Sequence, residues 1–247
     1  MSEASLFDLL PDGTGTVPGG PATGGAALGG IPLTGGNPLE ASGVLDPAVR
    51  DRALAELAGS CDACRGCSLA AGRQQVVVSR GNPGARLMVI GEGPGAQEDA
   101  SGSPFVGKAG QLLDRMLESV GLDSNRDAYI ANVVKCRPPE NRKPTAIEMA
   151  ACLPFLRRQI ALVQPQVVLL AGATAVEGVL GIKGGITKLR GQWRQWEGRW
   201  LMPVFHPSYL LRNASRERGS PKWLTWQDLQ DVRRRLAQLE ASDASAP

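Results

Sequence analysis

Short apolar runs alternate with helical segments along most of this chain of 247 residues. Four runs rich in Val, Ile, Leu, Ala and Met have the length of buried strands: residues 86–90, 128–134, 167–172 and 200–205. Five segments carry helical periodicity or helix start and stop signals: residues 46–58, 109–120, 144–163, 173–180 and 220–240. This alternation predicts an α/β fold with three layers, α/β/α, around a central, mostly parallel four-stranded sheet.

Small or polar residues follow each of the predicted strands. In an open parallel sheet, ligands bind at the carboxyl ends of the strands. Here those ends are marked by Gly91-Glu92, Asn132, Gly172 and His206, the only histidine of the chain. The sequence therefore predicts a functional site formed by these positions.

The first 45 residues differ in composition from the rest. Residues 11–40 contain ten glycines and five prolines, and such a segment has too little apolar surface to offset the entropy of ordering it. Asp46 is then a plausible N-cap, with Pro47 at the first helical position. We expect a flexible tail at residues 1–45 and one folded domain at residues 46–247.

Charge and apolar content narrow the class of protein. The net charge is +3, but residues 1–40 carry four acidic residues and no Lys or Arg, so the remainder carries +7. A basic body permits a polyanionic partner. No apolar run reaches the roughly 18 residues of a membrane span, and the first residues lack the basic start of a secretory signal. We expect a cytoplasmic protein with no membrane contact.

Two glycine-rich segments match nucleotide-binding motifs only in part. Residues 91–96 fit G-x-G-x-x-G/A after a strand, but Pro94 lacks the N–H that a pyrophosphate needs and Glu92 would place a carboxylate beside it. Residues 102–109 resemble a P-loop, but Ala109 replaces the Ser or Thr that holds Mg²⁺. Neither segment favours a nucleotide-binding enzyme.

The five cysteines are clustered. Three follow one another at three-residue steps and two lie much later in the chain: Cys61, Cys64, Cys67, Cys136 and Cys152. Two local groups with a long gap between them suit a site of four thiolates, which binds either tetrahedral zinc or an iron–sulfur cluster. Spacing alone leaves open whether Cys61 or Cys67 is the spare thiol. The site would clamp the N-terminal helical segment onto the sheet.

Five ordered segments together resemble the family 4 uracil-DNA glycosylases, the iron–sulfur type of bacteria and archaea. The resemblance covers about residues 50–240. It rests on Cys64-x-x-Cys67 and on residues 91–99, 102–110, 132–139 and 206–212. A related branch that traps DNA covalently has a loop containing Arg and His after the second strand. The corresponding residues 137–144 contain no histidine, which argues against that branch.

The resemblance implies a 4Fe–4S cluster. The positions that match the family's ligands are Cys64, Cys67, Cys136 and Cys152, which leaves Cys61 as the extra thiol. It also implies a DNA-repair enzyme that flips uracil out of single- or double-stranded DNA and hydrolyses its N-glycosidic bond. We expect a monomer associated with the nucleoid.

The resemblance also assigns the residues that bind uracil. Asn132 reads the imide edge, and Phe105 stacks on the flipped base. A glutamate that maps to Glu98 excludes the methyl group of thymine. Gly91 and Gly93 complete the pocket.

Two residues are expected to act on the bond that breaks. His206 donates a hydrogen bond to uracil O2 as negative charge develops there. The best-known uracil glycosylases carry an aspartate where this chain has Gly93. Glu92 is the nearest carboxylate to that position, and we therefore expect it to activate water or to stabilise the sugar cation. No lysine nucleophile is evident, which predicts a monofunctional enzyme that does not cut the strand.

Further residues are expected to hold the DNA. Leu210 would fill the vacated stack, while Lys135, Arg137 and Arg212 would contact phosphates. The alternative to an enzyme is a metal-cluster module that binds nucleic acid without turnover. At the N-terminus, Leu6-Phe7 loosely resembles the peptides that bind bacterial sliding clamps, which predicts a sliding clamp as a partner.

Overall fold

One sheet of six strands forms the centre of the computed structural model, which describes residues 45–245. Its spatial order is β1 (Arg80–Gly81), β3 (Ala128–Asn132), β2 (Leu87–Gly91), β4 (Val167–Ala171), β6 (Arg199–Val204) and β5 (Arg194–Trp196). The four inner strands are parallel, and both edge strands are antiparallel to their neighbours.

The four predicted strands are the four parallel ones, but the prediction of a four-stranded sheet is wrong. The missed strands β1 and β5 contain two and three residues. They are half-buried or exposed and include polar side chains such as Arg80 and Gln195. Edge strands of this kind have no apolar run for a sequence pattern to detect.

Eight helices surround the sheet within residues 45–245. They are α1 (Pro47–Ala63), α2 (Ala96–Ser101), α3 (Lys108–Glu118), α4 (Ala146–Val163), α5 (Ala173–Leu180), α6 (Ile186–Leu189), α7 (Pro207–Arg212) and α8 (Pro221–Ala244). Two 3₁₀ turns are added at Ser68–Ala71 and Pro139–Asn141. The five predicted helices are confirmed as α1, α3, α4, α5 and α8. The three that were missed contain four to six residues, too few to display a period.

Two apolar cores lie on the two faces of the sheet, which confirms the three-layer architecture. Successive strand residues alternate between them, so that Val89 belongs to one core and Met88 to the other. The first core contains apolar residues of α3, α7 and α8. The second contains those of α4 and α5. The last residues of all four inner strands are buried, so packing fixes the carboxyl ends of these strands.

The register brings the predicted site positions together in pairs. Gly91 at the end of β2 lies opposite Asn132 at the end of β3. Ala171 lies opposite Val204, and the N–H of Gly172 donates to the Val204 carbonyl at 2.9 Å. The residues that follow β4 and β6 are therefore neighbours as well.

Some sequence predictions concern residues outside the described range. The predicted clamp peptide Leu6-Phe7 and nearly all of the tail at residues 1–45 lie there. Within residues 45–245, none of the helices combines the length and the apolar character that crossing a membrane requires.

Candidate active site and cysteine cavity

A cleft of about 510 Å³ lies at the carboxyl ends of the four parallel strands. The sequence-predicted residues that line it are Glu92, Gly93, Glu98, Phe105, Asn132, His206 and Arg212. They come from four separate chain segments. The fold therefore brings together most of the residues that were predicted to bind or act on a base.

Asn132 is the last residue of β3 and lines the cleft while only 2% exposed. Its Oδ1 is buried and has no hydrogen-bond partner. Leaving such an acceptor unsatisfied costs about 1–3 kcal/mol, so buried polar groups are nearly always paired. An orphaned amide oxygen at a cleft indicates that a ligand supplies the missing donor.

Gly91 lies directly behind this amide. A Cβ atom at Gly91 would lie 2.4 Å from Cζ of Phe105 and 2.5 Å from Oδ1 of Asn132. Only glycine lets both side chains approach the end of β2. Gly91 therefore shapes the pocket without lining it.

Phe105 is held in a strained backbone conformation, with φ of 56° in the left-handed region. For a bulky residue this conformation is an outlier, and such outliers concentrate at functional sites. Arg80 supports the loop because its Nε donates to the Pro104 carbonyl at 2.9 Å and its Nη2 to the Phe105 carbonyl at 3.4 Å. The Phe105 ring is 5% exposed, and its centroid is 5.8 Å from that of the His206 ring.

Glu98 holds two loops of the cleft together. Its Oε1 accepts from the N–H groups of Val106 and Gly107 at 3.0 and 2.8 Å. Its Oε2 accepts from the N–H of Gly95 at 3.1 Å. The carboxylate thus fixes the loop that carries Phe105, in addition to lining the cleft.

His206 follows β6 and forms the N-cap of α7. Its Nδ1 accepts from the Ser208 N–H at 3.2 Å and lies 2.8 Å from the Ser208 hydroxyl. Burial lowers the pKa of His206 to about 4, so the ring is neutral at pH 7. With Nδ1 acting as the acceptor, the proton is on Nε2. Gly172, at φ of 93°, leaves room for this side chain.

Glu92 follows β2 and is half-buried at the cleft. Its Oε2 accepts a short hydrogen bond from the hydroxyl of Thr174, at the start of α5. Sequence reasoning missed Thr174, although it lies just beyond the predicted third strand end. It also missed Arg80, because a charged residue on a two-residue strand gives no pattern.

Two of the four predicted DNA contacts need correction. Lys135 is 1% exposed and Leu210 is also 1% exposed, so neither reaches a DNA strand in this structure. Leu210 packs in the core with α3, whereas the adjacent Leu211 is 40% exposed. Arg212 is exposed at the cleft, and Arg137 is half-buried with its Nε donating to Asn141 at 2.9 Å.

All five cysteines line one small cavity between α1, the segment 64–73, and α4. Three of the sulfurs accept hydrogen bonds. Cys64 Sγ accepts from the Gly66 N–H at 3.3 Å, and Cys152 Sγ accepts from the Lys135 N–H at 3.2 Å. Cys136 Sγ accepts from Nη1 of Arg73, also at 3.2 Å. Donors of this kind favour thiolates over thiols and surround iron–sulfur clusters.

Burial opposes ionisation of the free thiols. It raises the pKa of Cys61 to about 12 and that of Cys152 to about 11, and Lys135 partly counteracts it in both. Within residues 45–245, no group of three or more His, Cys, Asp or Glu side chains is placed to hold a metal ion.

Comparison with known proteins supports one family. A family model described as the uracil DNA glycosylase superfamily matches residues 78–230. A type-4 uracil-DNA glycosylase of Thermotoga maritima is 50% identical over 156 residues, covering 62% of this chain and 81% of that protein. A type-4 enzyme of Sulfurisphaera tokodaii is 38% identical over 161 residues, or 62% and 73% of the two chains. A type-5 uracil-DNA glycosylase of Pyrobaculum aerophilum is 34% identical over 173 residues, or 64% and 73%. The chain belongs to the uracil-DNA glycosylase superfamily and, within it, to the type-4 enzymes.

Proposed function

We propose that this chain excises uracil from DNA by hydrolysing the N-glycosidic bond, which leaves an abasic site for repair. The observation that carries this proposal is the buried amide of Asn132, whose Oδ1 lacks a partner at the cleft. A base inside a duplex cannot reach such a pocket, so the nucleotide is flipped out at a cost of a few kcal/mol.

Asn132 would provide specificity for uracil over cytosine. Its Oδ1 accepts from uracil N3–H, and its Nδ2 donates to O4. Cytosine presents the opposite pattern at these two positions. Binding cytosine would leave buried polar groups unpaired, which is the strongest way for a pocket to reject a similar ligand.

Phe105 would stack on the flipped base. The left-handed backbone, together with Arg80 and Glu98, fixes the ring before any base arrives. A base that enters this site therefore meets an ordered platform. The role of Glu98 as the wall against the thymine methyl group stays a prediction.

His206 would stabilise the departing uracil. Because its Nδ1 accepts from Ser208, the neutral ring offers Nε2–H as a donor. A donor near uracil O2 stabilises the negative charge that develops there in a water-poor site. The low pKa of His206 makes this a hydrogen bond from a neutral ring rather than from an imidazolium.

Glu92 would act on the sugar side of the bond. The Thr174 hydroxyl orients its carboxylate, which can stabilise the sugar cation or activate the attacking water. No lysine of residues 45–245 lines the cleft, which supports a monofunctional reaction without strand cleavage.

DNA would be held by arginines at and near the cleft. Arg212 and Arg137 are the candidates for phosphate contacts. We assign the wedge that fills the vacated stack to Leu211 rather than Leu210, because Leu211 is the exposed leucine of α7.

The cysteine cavity would hold a 4Fe–4S cluster on Cys64, Cys67, Cys136 and Cys152. Each iron of such a cluster takes one thiolate, so four cysteines that line one cavity suit this group although no three side chains of residues 45–245 are placed to hold a single metal ion. Three of the four sulfurs accept hydrogen bonds. A bound cluster would supply covalent links between the segment before the sheet, the exit of β3, and α4. Its effect would be structural, and Cys61 is the additional thiol. Visible absorption and iron content of anaerobically purified protein test this assignment, whereas zinc without iron would contradict it.

An oligonucleotide assay tests the proposed reaction. Duplexes that contain U, T or C opposite G are incubated with the native chain, treated with alkali and analysed for strand cleavage. We expect cleavage only at U. Asn132→Ala should reduce excision strongly, while Asn213→Ala, outside the cleft, should not. Binding of the U duplex without cleavage would instead support the non-catalytic binding module.

Binding of a sliding clamp through Leu6-Phe7 is a separate proposal. It would tether the enzyme to replicated DNA through the glycine-rich tail. A pulldown compares the full chain with one that starts near Ser42, and equal clamp recovery would refute it.

A further inference from the structure

Lys135 is a buried ammonium group between the two sites. Its side chain is 1% exposed. Nζ donates to the backbone carbonyl of Asn132 at 2.7 Å and to Oε1 of Gln159 at 2.5 Å. None of the ion pairs formed within residues 45–245 includes Lys135. Both of its hydrogen-bond acceptors are neutral.

A fully buried cation requires a nearby anion, because transfer of an isolated charge out of water is costly. Lys135 lines the cysteine cavity together with Cys61, Cys136 and Cys152. The backbone N–H of the same residue also donates to Cys152 Sγ. The cysteine cavity is therefore the place where an anion would compensate Lys135.

We propose that Lys135 is the internal counter-ion of the cysteine-bound cluster and the positioning residue that holds the Asn132 backbone at the uracil pocket. This inference rests on the proposed cluster and on the proposed role of Asn132. A cluster bound by four thiolates carries net negative charge, which matches the ammonium. The hydrogen bond from Nζ to the Asn132 carbonyl then links that charge to the residue that reads the base.

Gln159 provides the matched control. It belongs to the same buried network, in which its Nε2 donates to the Val78 carbonyl and lies 3.1 Å from the Tyr129 hydroxyl. Gln159→Met removes the hydrogen bonds that Gln159 makes, including the one from Lys135 Nζ, and leaves the charge of Lys135 in place. Lys135→Met removes the charge and the bond to Asn132, and Lys135→Arg retains the charge.

The experiment compares these three variants with the native holoenzyme. Iron content is measured first, followed by the midpoint potential of the cluster in a redox titration with dithionite and EPR detection. A nearby positive charge favours the reduced cluster. We expect Lys135→Met to lower the equilibrium constant for reduction about tenfold, which is 59 mV for one electron. Lys135→Arg and Gln159→Met should keep the native potential.

A second readout concerns the uracil pocket. Inhibition of excision by free uracil reports how well Asn132 is placed. We expect the inhibition constant to rise about tenfold in Lys135→Met, the size of effect that loss of one hydrogen bond to a charged group produces. In Gln159→Met it should change less than twofold. An unchanged constant in Lys135→Met would remove the positioning role.

The remaining outcomes concern the midpoint potential and the iron content of the variants. A native potential in Lys135→Met, or an equal fall in Gln159→Met, would overturn the counter-ion role. If Lys135→Met loses its iron but Lys135→Arg retains it at the native potential, charge is the cause and the proposal stands. If both lose iron while Gln159→Met retains it, side-chain shape is the cause and the proposal fails. A native chain without iron would refute the cluster and this inference together, whereas uracil excision is measured independently of both.

Discussion

A single added methyl group at Gly91 should disable the base pocket while leaving the fold intact. Gly91 ends β2 opposite Asn132. The Cβ atom of Gly91→Ala would lie 2.4 Å from Phe105 Cζ and 2.5 Å from Asn132 Oδ1. Unstrained carbon contacts are about 3.5–4.0 Å long, so at least one of these side chains must move by about 1 Å. Both are nearly fully buried, which leaves them little space to move into.

The expected magnitude follows from this displacement. Overpacking a buried site costs about 1–3 kcal/mol of stability. Misplacing a group that positions the substrate by about 1 Å can reduce the rate on the order of 10²-fold. We therefore expect kcat/KM for uracil excision to fall about 100-fold in Gly91→Ala, equivalent to about 2.7 kcal/mol of transition-state stabilisation.

Gly59→Ala is the matched control. Gly59 lies inside α1, and no atom is within 4 Å of the position that its Cβ would occupy. Replacing glycine by alanine in a helix interior stabilises it by up to about 1 kcal/mol. The same methyl group should therefore raise the melting temperature at Gly59 and leave excision unchanged. Single-turnover excision, thermal melting and visible absorption are measured for both variants. Native excision by Gly91→Ala would refute the placement of Asn132 and Phe105 around uracil.

Three further predictions concern charge. Burial holds the pKa of His206 at about 4, below its usual 6.5. As pH decreases, the unfolded chain therefore takes up this proton before the folded chain does, and the free energy of unfolding should fall between pH 6.5 and 4. The melting temperature of His206→Gln should depend less on pH than that of the native chain, and an equal dependence would contradict this. Arg142 and neighbouring donors hold the pKa of Glu148 at about 2, so its stabilisation is present above pH 4.5 and is lost as pH falls toward 2. Urea unfolding of Glu148→Gln should show a loss of about 2 kcal/mol at pH 7 that diminishes in acid, and an equal loss at pH 2 would argue against the ion pair. Arg212→Ala should raise the Kd for DNA and reduce by about 1 the slope of log K against log salt concentration. Arg234, which is paired with Asp231, provides the control, because Arg234→Ala should leave that slope unchanged.

The architecture was predictable because its inner strands and longer helices follow simple rules. Parallel strands that are covered on both faces consist of continuous apolar runs, and the end of each run indicates where the strand ends. The position of ligand sites in such sheets then identified Asn132, Glu92 and His206 before any coordinates. All three line one cleft.

The errors came from residues whose surroundings are set by tertiary contacts. Lys135 follows an apolar strand and was expected at the surface, but its neighbours in the cysteine cavity bury it. Leu210 was expected to project toward DNA, but the short helix α7 turns it into the core and exposes Leu211. A six-residue helix gives too little sequence to reveal which of its two leucines faces inward.

The exit of β3 connects the cleft and the cysteine cavity through five consecutive residues. Asn132 lines the cleft, and Cys136 lines the cavity. Between them, the N–H groups of Val133 and Val134 donate to the carbonyls of Gly91 and Glu92, at 2.9 and 3.2 Å. This segment is thus fixed along β2 on the way to the cysteines. Since both valines are fully buried, the segment cannot shift at one end without disturbing the packing beside the other. A ligand bound by Cys136 would therefore hold the amide of Asn132 in place without any contact with DNA.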